Sequence, residues 1–198
     1  DYLLEGSLRN KESTLNDQIL QVIKLKYPQF NLINTKFESK NDFSFNINDK
    51  FKVNNLSINS SILINNSQLK KNNLINKNFI EVNELIDLKD HKIKASYANK
   101  KLSIEGKGQI KLQNKFEFID YKVKNDGSNL NLVSNIELSE LDIKNQSLIK
   151  EYLPKTKDTL NLKDHKIQIN YQDNILTLEG LGKIIFEKEL NQIKYFFS

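Results

Sequence analysis

Two segments carry the residues best suited to chemistry, because each contains a carboxylate beside an imidazole. Residues 88–93 and 162–167 both read Leu-Lys-Asp-His-Lys-Ile, and they hold both histidines of the chain, His91 and His165. Such pairs can serve general acid–base catalysis or metal binding. Adjacent residues of a strand point to opposite faces, however, so Asp90 cannot readily orient His91. No nucleophile motif accompanies them, and we interpret both segments as the polar beginnings of strands.

Two Gly-x-Gly segments, at residues 106–108 and 180–182, resemble phosphate-binding loops only superficially. A dinucleotide loop needs Gly-x-Gly-x-x-Gly between a strand and a helix, and a Walker loop ends in Gly-Lys-Ser/Thr. Neither pattern is present. These glycines fall on the apolar side of predicted strands, where glycine bends a sheet or admits a close neighbour. We therefore predict no catalytic residue, no cofactor and no metal site.

The composition excludes further classes of function. The 198 residues include no Cys, Met or Trp, and the formal net charge is +5. Without cysteine there can be no disulfide framework, thiolate metal site or cysteine nucleophile. No apolar run approaches the roughly 18 residues that a membrane span needs. Lysine is interleaved with Glu, Asp and Asn, which differs from the basic stripe of nucleic-acid-binding proteins, so we predict no nucleic-acid partner.

An internal repeat organises the chain. Residues 88–112 align with residues 162–186 at an offset of 74 (162 minus 88), and about half of the aligned positions are identical. No Gly/Ser/Pro-rich linker divides the sequence, so we predict a single repeat-built β region over residues 1–198. The first residue is not Met and the last residues resemble the middle of a strand. We expect a fragment of a longer protein.

Hydrophobic periodicity predicts the secondary structure. Apolar and polar residues alternate with period two in both copies and around them, which is typical of strands with one buried face. Segments rich in Asn and Asp predict turns at residues 48–50, 99–100, 125–127 and 172–174. The pattern indicates a mostly β fold, a long meandering antiparallel sheet. Helical spacing at residues 13–27 and 145–153 predicts one or two short helices.

The apolar face of such a sheet must be covered. At about 25 cal/mol per Å² of apolar area, leaving it in water would cost tens of kcal/mol. A second sheet, a layer of helices, or a curl of the sheet into a trough filled by an apolar ligand could each cover it. Periodicity alone does not separate these arrangements.

The residue pattern Leu-x-Ile-x-Gly-x-Gly-x-Ile occurs at residues 102–110, and a near copy occurs at residues 176–184. This repeated pattern resembles that of the AsmA-like envelope proteins of Gram-negative bacteria. That family of bridge-like lipid-transfer proteins includes YhdP and TamB. The resemblance implies an inner-membrane-anchored periplasmic protein whose repeats curl into a taco-like groove that carries phospholipid towards the outer membrane. It implies no catalytic residues. The membrane anchor would belong to a segment absent from this chain.

The resemblance also implies which residues line the groove, and we refer to them as the predicted floor. They share apolar character and fall within or next to the two copies of the repeat. In the first copy they are Ile93, Tyr97, Leu102, Ile104, Ile110, Leu112, Phe116 and Phe118, and in the second Ile167, Ile169, Tyr171, Leu176, Leu178, Ile184 and Phe186.

The resulting hypothesis is a non-enzymatic lipid-transfer segment. Its partners would be phospholipid acyl chains, and it would meet membranes through parts of the protein that this chain lacks. The alternative is a structural or adhesin-like scaffold domain whose apolar face is a closed, dry core. An enzyme has the least support in the sequence.

Overall fold

The chain folds into a single antiparallel sheet. The computed structural model describes residues 2–15, 32–70, 84–144, 159–186 and 189–198, and strands make up 87% of them. Ten strands follow one another in chain order, and each pairs antiparallel with the next. These ranges contain no helix. The predicted mostly β, meandering antiparallel fold is confirmed.

The strands are long for a globular protein, where five or six residues are usual. Their lengths run from 9 residues in β10 to 18 residues in β3. The bounds are β1 (Tyr2–Thr14), β2 (Leu32–Ile47), β3 (Val53–Lys70), β4 (Leu85–Ala98), β5 (Lys101–Lys111), β6 (Phe116–Asn125), β7 (Leu130–Lys144), β8 (Thr159–Gln172), β9 (Ile175–Phe186) and β10 (Glu189–Phe197).

Tight turns join the strands at one end of the sheet. Asn99 and Lys100 have φ angles of 52° and 62°, and Asp173 and Asn174 have 53° and 63°. Two successive residues with positive φ form the two-residue hairpin turn whose twist matches the strands that it joins. Between β6 and β7, Oδ1 of Asp126 accepts the backbone N–H groups two and three residues further on. The turns lie where the Asn- and Asp-rich segments predict them.

Three connections between strands are longer than these turns. Residues 16–31, 71–83 and 145–158 join β1 to β2, β3 to β4 and β7 to β8, and they lie outside the described residues. The helix predicted at residues 13–27 therefore falls mostly outside them. Its first residues belong to the sheet, since Ser13 and Thr14 end β1 and the N–H of Leu15 donates to the carbonyl of Thr35 at 2.9 Å. The helix predicted at 145–153 lies wholly outside.

A one-residue bulge shifts the register in β4 and again in β8. Between Lys89 and Lys92, β4 takes three steps while β5 takes two. β8 has the same irregularity 74 residues later. The extra residue is Asp90 in β4 and Asp164 in β8, with φ angles of 53° and 51°, which aspartate tolerates better than most residues. Because the bulge adds one residue, Leu88 and His91, which are three residues apart, lie on the same face as Ile93.

The register defines the two faces of the sheet. Ile93, Gly106 and Tyr121 lie directly opposite one another on β4, β5 and β6 and belong to what we call the apolar face. Their chain neighbours, such as Lys94 and Glu105, project to the other side, the polar face. All the buried large hydrophobic and polar side chains of the described part lie on the apolar face: Thr35, Ser67, Ile86, His91, Glu117, Ser134, Leu138, Leu141, Leu160, Leu162, His165 and Ile184.

The tightest packing lies on β7 to β9, towards the end of the sheet opposite the tight turns. Leu138, Leu141, Leu162 and Ile184 form a buried cluster, and each such side chain contributes about 1.5–3 kcal/mol when fully buried. The sheet is not closed, so β1 and β10 are its two edges. That it curls into a taco-like groove built from repeats stays a prediction.

Candidate functional site

Most of the predicted floor shares one face of the sheet. Eleven of its members lie in strands on the apolar face: Ile93, Tyr97, Leu102, Ile104, Ile110, Ile167, Ile169, Tyr171, Leu176, Leu178 and Ile184. Leu112 follows the end of β5 and packs, partly buried, against the leucine cluster. Phe186 ends β9, and its side chain lies outside the described part of the structure.

Phe116 and Phe118 lie on the polar face, and their prediction as floor residues of the apolar face is wrong. Phe118 pairs with Gln109 and Phe116 with Lys111, both on the polar face. The reason is spacing: Phe118 and Tyr121 are three residues apart, and a regular strand cannot turn both to one side. Each phenylalanine is about two-fifths exposed, and the ammonium group of Lys111 lies 5.8 Å from the ring centre of Phe116.

Most floor residues of the apolar face are partly exposed to solvent. Nine of the eleven are half-buried, while Ile184 is 6% exposed and Leu176 is 57% exposed. Burial increases from the tight-turn end, where Leu176 lies, towards the leucine cluster. A continuous apolar surface therefore remains partly accessible between the two ends.

Two equivalent sets of side chains form part of this surface. Each set joins a histidine, two glycines and a tyrosine from three successive strands. The first set is His91, Gly106, Gly108 and Tyr121, and the second, 74 residues later, is His165, Gly180, Gly182 and Tyr195. The histidine and tyrosine rings approach each other across the middle strand, with centres 6.1 Å apart in the first set and 5.8 Å in the second.

The glycines are required because the rings lie directly over them. A Cβ atom on Gly108 or Gly182 would overlap the histidine ring, and one on Gly180 would overlap the ring of Tyr195. Gly6 lies under Phe43 in the same way. An aromatic ring that covers a cross-strand glycine restores the packing that the missing side chain would leave out. The glycines therefore serve packing, as the sequence predicts.

Both histidines are held by backbone carbonyls. Nε2 of His91 lies 3.0 Å from the carbonyl of Gln109, and Nε2 of His165 lies 2.9 Å from that of Lys183. Because a carbonyl oxygen only accepts, each Nε2 carries the proton and each Nδ1 is free to accept. In the second set the hydroxyl of Tyr195 donates to Nδ1 of His165 at 3.2 Å.

Burial keeps these groups uncharged. Desolvation lowers the pKa of both His91 and His165 below the ordinary value of 6.5. The same cause raises the pKa of Tyr121, and it raises that of Tyr195 to about 12. Neutral imidazoles bound to carbonyls favour a structural role for both sets.

Among the described residues, no hydrogen bond joins either histidine to a carboxylate. The carboxylate of Asp164 accepts from Nζ of Lys183 at 2.8 Å instead of bonding to His165. Within the described ranges, no three His, Asp or Glu side chains converge as a metal site would require. No helix in those ranges is long and apolar enough to cross a bilayer.

A buried carboxylate on the apolar face is also satisfied by the protein. Oε2 of Glu117 accepts the backbone N–H of Ser139 at 2.9 Å, and Oε1 accepts its hydroxyl at 2.6 Å. Thr35 and Ser67 bond to each other at 2.6 Å, and the hydroxyl of Ser134 donates to a backbone carbonyl at 2.9 Å. Thr35, Ser67, Glu117 and Ser134, like the two histidines, therefore have protein partners, which removes most of the cost of their burial. On the same face, the buried Nδ2 of Asn10 has no hydrogen-bond partner in the described structure.

A concavity of about 910 Å³ crosses six strands, β1 to β6. Three consecutive residues of each strand line it, for example Lys92, Ile93 and Lys94 in β4. In each strand, two of these three residues belong to the polar face. Ala95 and Ile104, the next residues of the apolar face, do not line the concavity. The concavity therefore opens on the polar face, opposite the predicted floor.

This concavity is basic. Its cations are Arg9, Lys11, Lys40, Lys92, Lys94, Lys107 and Lys122, against three carboxylates, Glu38, Glu105 and Asp120. Lys122 forms an ion pair with Glu105, and this pairing lowers the pKa of the carboxyl group. The excess of cations attracts anions, although salt screens such exposed charges.

Two parts of the site were not predicted from the sequence. Tyr121 and Tyr195 were not assigned to the repeated sets, although extending the 74-residue offset past residue 112 aligns them. Glu117 was not predicted to be buried, because the alternation put Phe116 and Phe118 on the apolar face and so put Glu117 on the polar face. Its partner Ser139 is 22 residues away.

Comparison of the chain with known protein families, with curated proteins and with solved structures finds no match.

Proposed function

We propose that this chain is a non-enzymatic lipid-binding segment whose apolar face conducts phospholipid acyl chains. The observation that carries the proposal is the continuity of that face across the strands. One row of directly opposed residues runs from β3 to β10: Ile62, Ile93, Gly106, Tyr121, Ser134, Ile169, Leu178 and Phe197. The next row runs through Ala95, Ile104, Val123, Leu132, Tyr171 and Leu176.

The rows are long enough for an acyl chain. Seven steps between eight strands, at about 4.8 Å each, give about 34 Å. One leaflet of a bilayer is about 15 Å of hydrocarbon, half of the roughly 30 Å core. Acyl chains lying across the strands would therefore meet mostly apolar side chains and could move from one strand to the next.

The polar side chains of the face do not oppose this role. His165 and Ser134 are bonded to backbone carbonyls, and Glu117 is bonded to the backbone of β7. Groups that already have protein partners offer no specific contact to a ligand. Weak, unspecific binding at each position is what sliding along a surface requires.

The positive charge of the polar face is also compatible with phospholipid as the ligand. Its basic concavity on β1 to β6 favours anionic headgroups by charge, at low salt above all. The AsmA-like resemblance is what supports the proposed periplasmic location, an anchor in the inner membrane outside this chain, and transfer towards the outer membrane.

A scaffold domain with a dry core is the second candidate. The buried cluster of Leu138, Leu141, Leu162 and Ile184 favours it, because side chains at 3–8% exposure leave no room for a ligand there. The two candidates differ in the half-buried rows, which would hold lipid in one case and only protein or water in the other.

Site-specific photo-crosslinking tests the proposal. A benzophenone amino acid replaces Ile104 on the apolar face, and as the matched control it replaces Ser103, the preceding residue on the polar face. After expression and irradiation, mass spectrometry should find phospholipid attached at position 104 and little at position 103. Native mass spectrometry of the unmodified chain should also find bound phospholipid. Equal or absent labelling at both positions, with no lipid in the native spectrum, would refute lipid binding and favour the scaffold.

A further inference from the structure

The last strand of the sheet has an exposed apolar edge. Among the described strands β10 pairs only with β9. Leu190, Phe196 and Phe197 are 56%, 63% and 57% exposed. Proline is absent from this strand and its one lysine, Lys194, is paired with Glu179 at 3.0 Å. A long apolar edge without such protection is a site where another strand can pair.

An internal equivalent of β10 is not an edge. At the 74-residue offset β10 corresponds to β6, and both Tyr121 and Tyr195 lie over the first glycine of the preceding Gly-x-Gly segment. On its other side β6 pairs with β7 over eight residue pairs, from Phe118 opposite Glu137 to Asn125 opposite Leu130. The residues of β7 that pair with β6 therefore indicate which residues a strand paired with β10 should have.

We propose that the outer edge of β10 binds a further antiparallel strand whose residue pattern is that of β7. In β7, Ser134 lies opposite Tyr121, Ile136 opposite Ile119 and Leu132 opposite Val123. Transferred by 74 residues, a small residue lies opposite Tyr195, a branched apolar residue opposite Ile193 and a leucine opposite Phe197.

Each of these positions has a physical reason. The ring of Tyr195 leans over Gly180 towards His165, and a small residue beside it leaves that ring in place. An apolar residue beside Phe197 removes from water a ring that is now 57% exposed. The bound strand adds its apolar side chains to the apolar face, because directly opposed residues of antiparallel strands share a face.

The partner is therefore an extended segment that alternates apolar and polar residues. Strand β10 of a second copy of this chain fits this residue pattern less well. If two β10 strands paired about Ile193, Tyr195 would lie opposite Asn191 and not opposite a small residue. The proposal does not depend on lipid, so strand binding and lipid binding can fail separately.

A synthetic peptide provides the probe. Residues 130–144, with a lysine tag for solubility and a fluorophore, are titrated with the full chain, and binding is followed by fluorescence anisotropy. The control peptide carries Ile136→Pro, which removes a backbone donor from the middle of the strand. We expect saturable binding of the first peptide and at least tenfold weaker binding of the second. Phe197→Lys in the chain removes the apolar side chain expected opposite Leu132 and should weaken binding of the first peptide.

Disulfide trapping tests the register, and the chain suits it because it contains no cysteine. Gln192→Cys in the chain should crosslink to the peptide with Glu137→Cys, its expected partner, and not to the peptide with Glu140→Cys. Lys194→Cys with Asn135→Cys in the peptide is a second pair, should the first variant fail to fold. Three results would each overturn the proposal. They are equal binding of the proline peptide, equal trapping at both peptide positions, and a β10-mediated dimer of the chain that excludes the peptide.

Discussion

The hydroxyl of Tyr195 on β10 lies 3.2 Å from Nδ1 of His165 on β8, although β9 runs between the two strands. The contact is possible because β9 has glycine at positions 180 and 182, where the two rings cross it. Three strands are thereby joined by side chains as well as by their backbone ladder. On the first set the corresponding rings are 6.1 Å apart, and in the described structure no hydrogen bond links them.

This difference predicts unequal effects of one substitution. Tyr195→Phe leaves Nδ1 of His165 without its donor and should lower the free energy of unfolding by about 1 kcal/mol, the usual worth of such a bond. Tyr121→Phe removes no bond to His91 and should cost less. Urea denaturation of both variants measures the difference. A larger loss for Tyr121→Phe would contradict the assignment of the hydrogen bond.

Gly182→Ala should be destabilising because its Cβ would overlap the ring of His165. Overpacking of this kind typically costs about 1–3 kcal/mol. In a double-mutant cycle, Gly182→Ala should cost clearly less when His165→Ala has already removed the ring, since the overlap is then gone. Strictly additive losses would show that the glycine is needed for another reason.

Acidification should weaken the fold in a window set by the histidines. Burial lowers the pKa of His91 and His165 in the folded chain below 6.5, so around and below pH 6.5 the unfolded chain binds protons that the folded chain does not. The free energy of unfolding therefore falls as the pH drops from 6.5 to the lowered pKa values. Urea midpoints between pH 8 and pH 5 measure this slope.

The matched control replaces both histidines by glutamine, whose amide N–H₂ can still donate to the carbonyls of Gln109 and Lys183. The slope around pH 6 should then disappear. Asp164 and Glu105, whose pKa values are lowered by lysine partners, lose their ion pairs only below their ordinary values near 4 and so do not enter the window. A slope that persists in the double variant would assign it to other groups.

The alternation of apolar and polar residues was enough to predict most of the strands, the hairpin turns and the antiparallel meander. It predicted the face of Ile93 and Ile104 correctly because both lie in regular stretches, where period two holds. It failed at Phe116 and Phe118, which follow a four-residue connection after Lys111. A connection can restore or reverse the alternation, and only the register with β5 decides which.

The histidines show a second limit of prediction from the sequence. Their repetition in the sequence was visible, but their partners are backbone carbonyls 18 residues away, and a carbonyl has no sequence signal. The bulge at Asp90 was equally hidden, since any residue that tolerates a positive φ could provide it. Long-range register, and not residue type, determines this part of the site.

The two faces should respond differently to the same chemical change, which tests the revised floor. Ile104→Asp on β5 puts a carboxylate into a row between Ala95 and Val123, and a charge cannot contact acyl chains without losing its hydration. Phe118→Asp on β6 makes the same apolar-to-acid change on the polar face, at a side chain already 41% exposed. If lipid lies on the apolar face, phospholipid that co-purifies with the chain should be largely lost in the first variant and retained in the second. Circular dichroism checks that both variants keep their strands. Loss of lipid in Phe118→Asp alone would transfer the binding surface to the polar face.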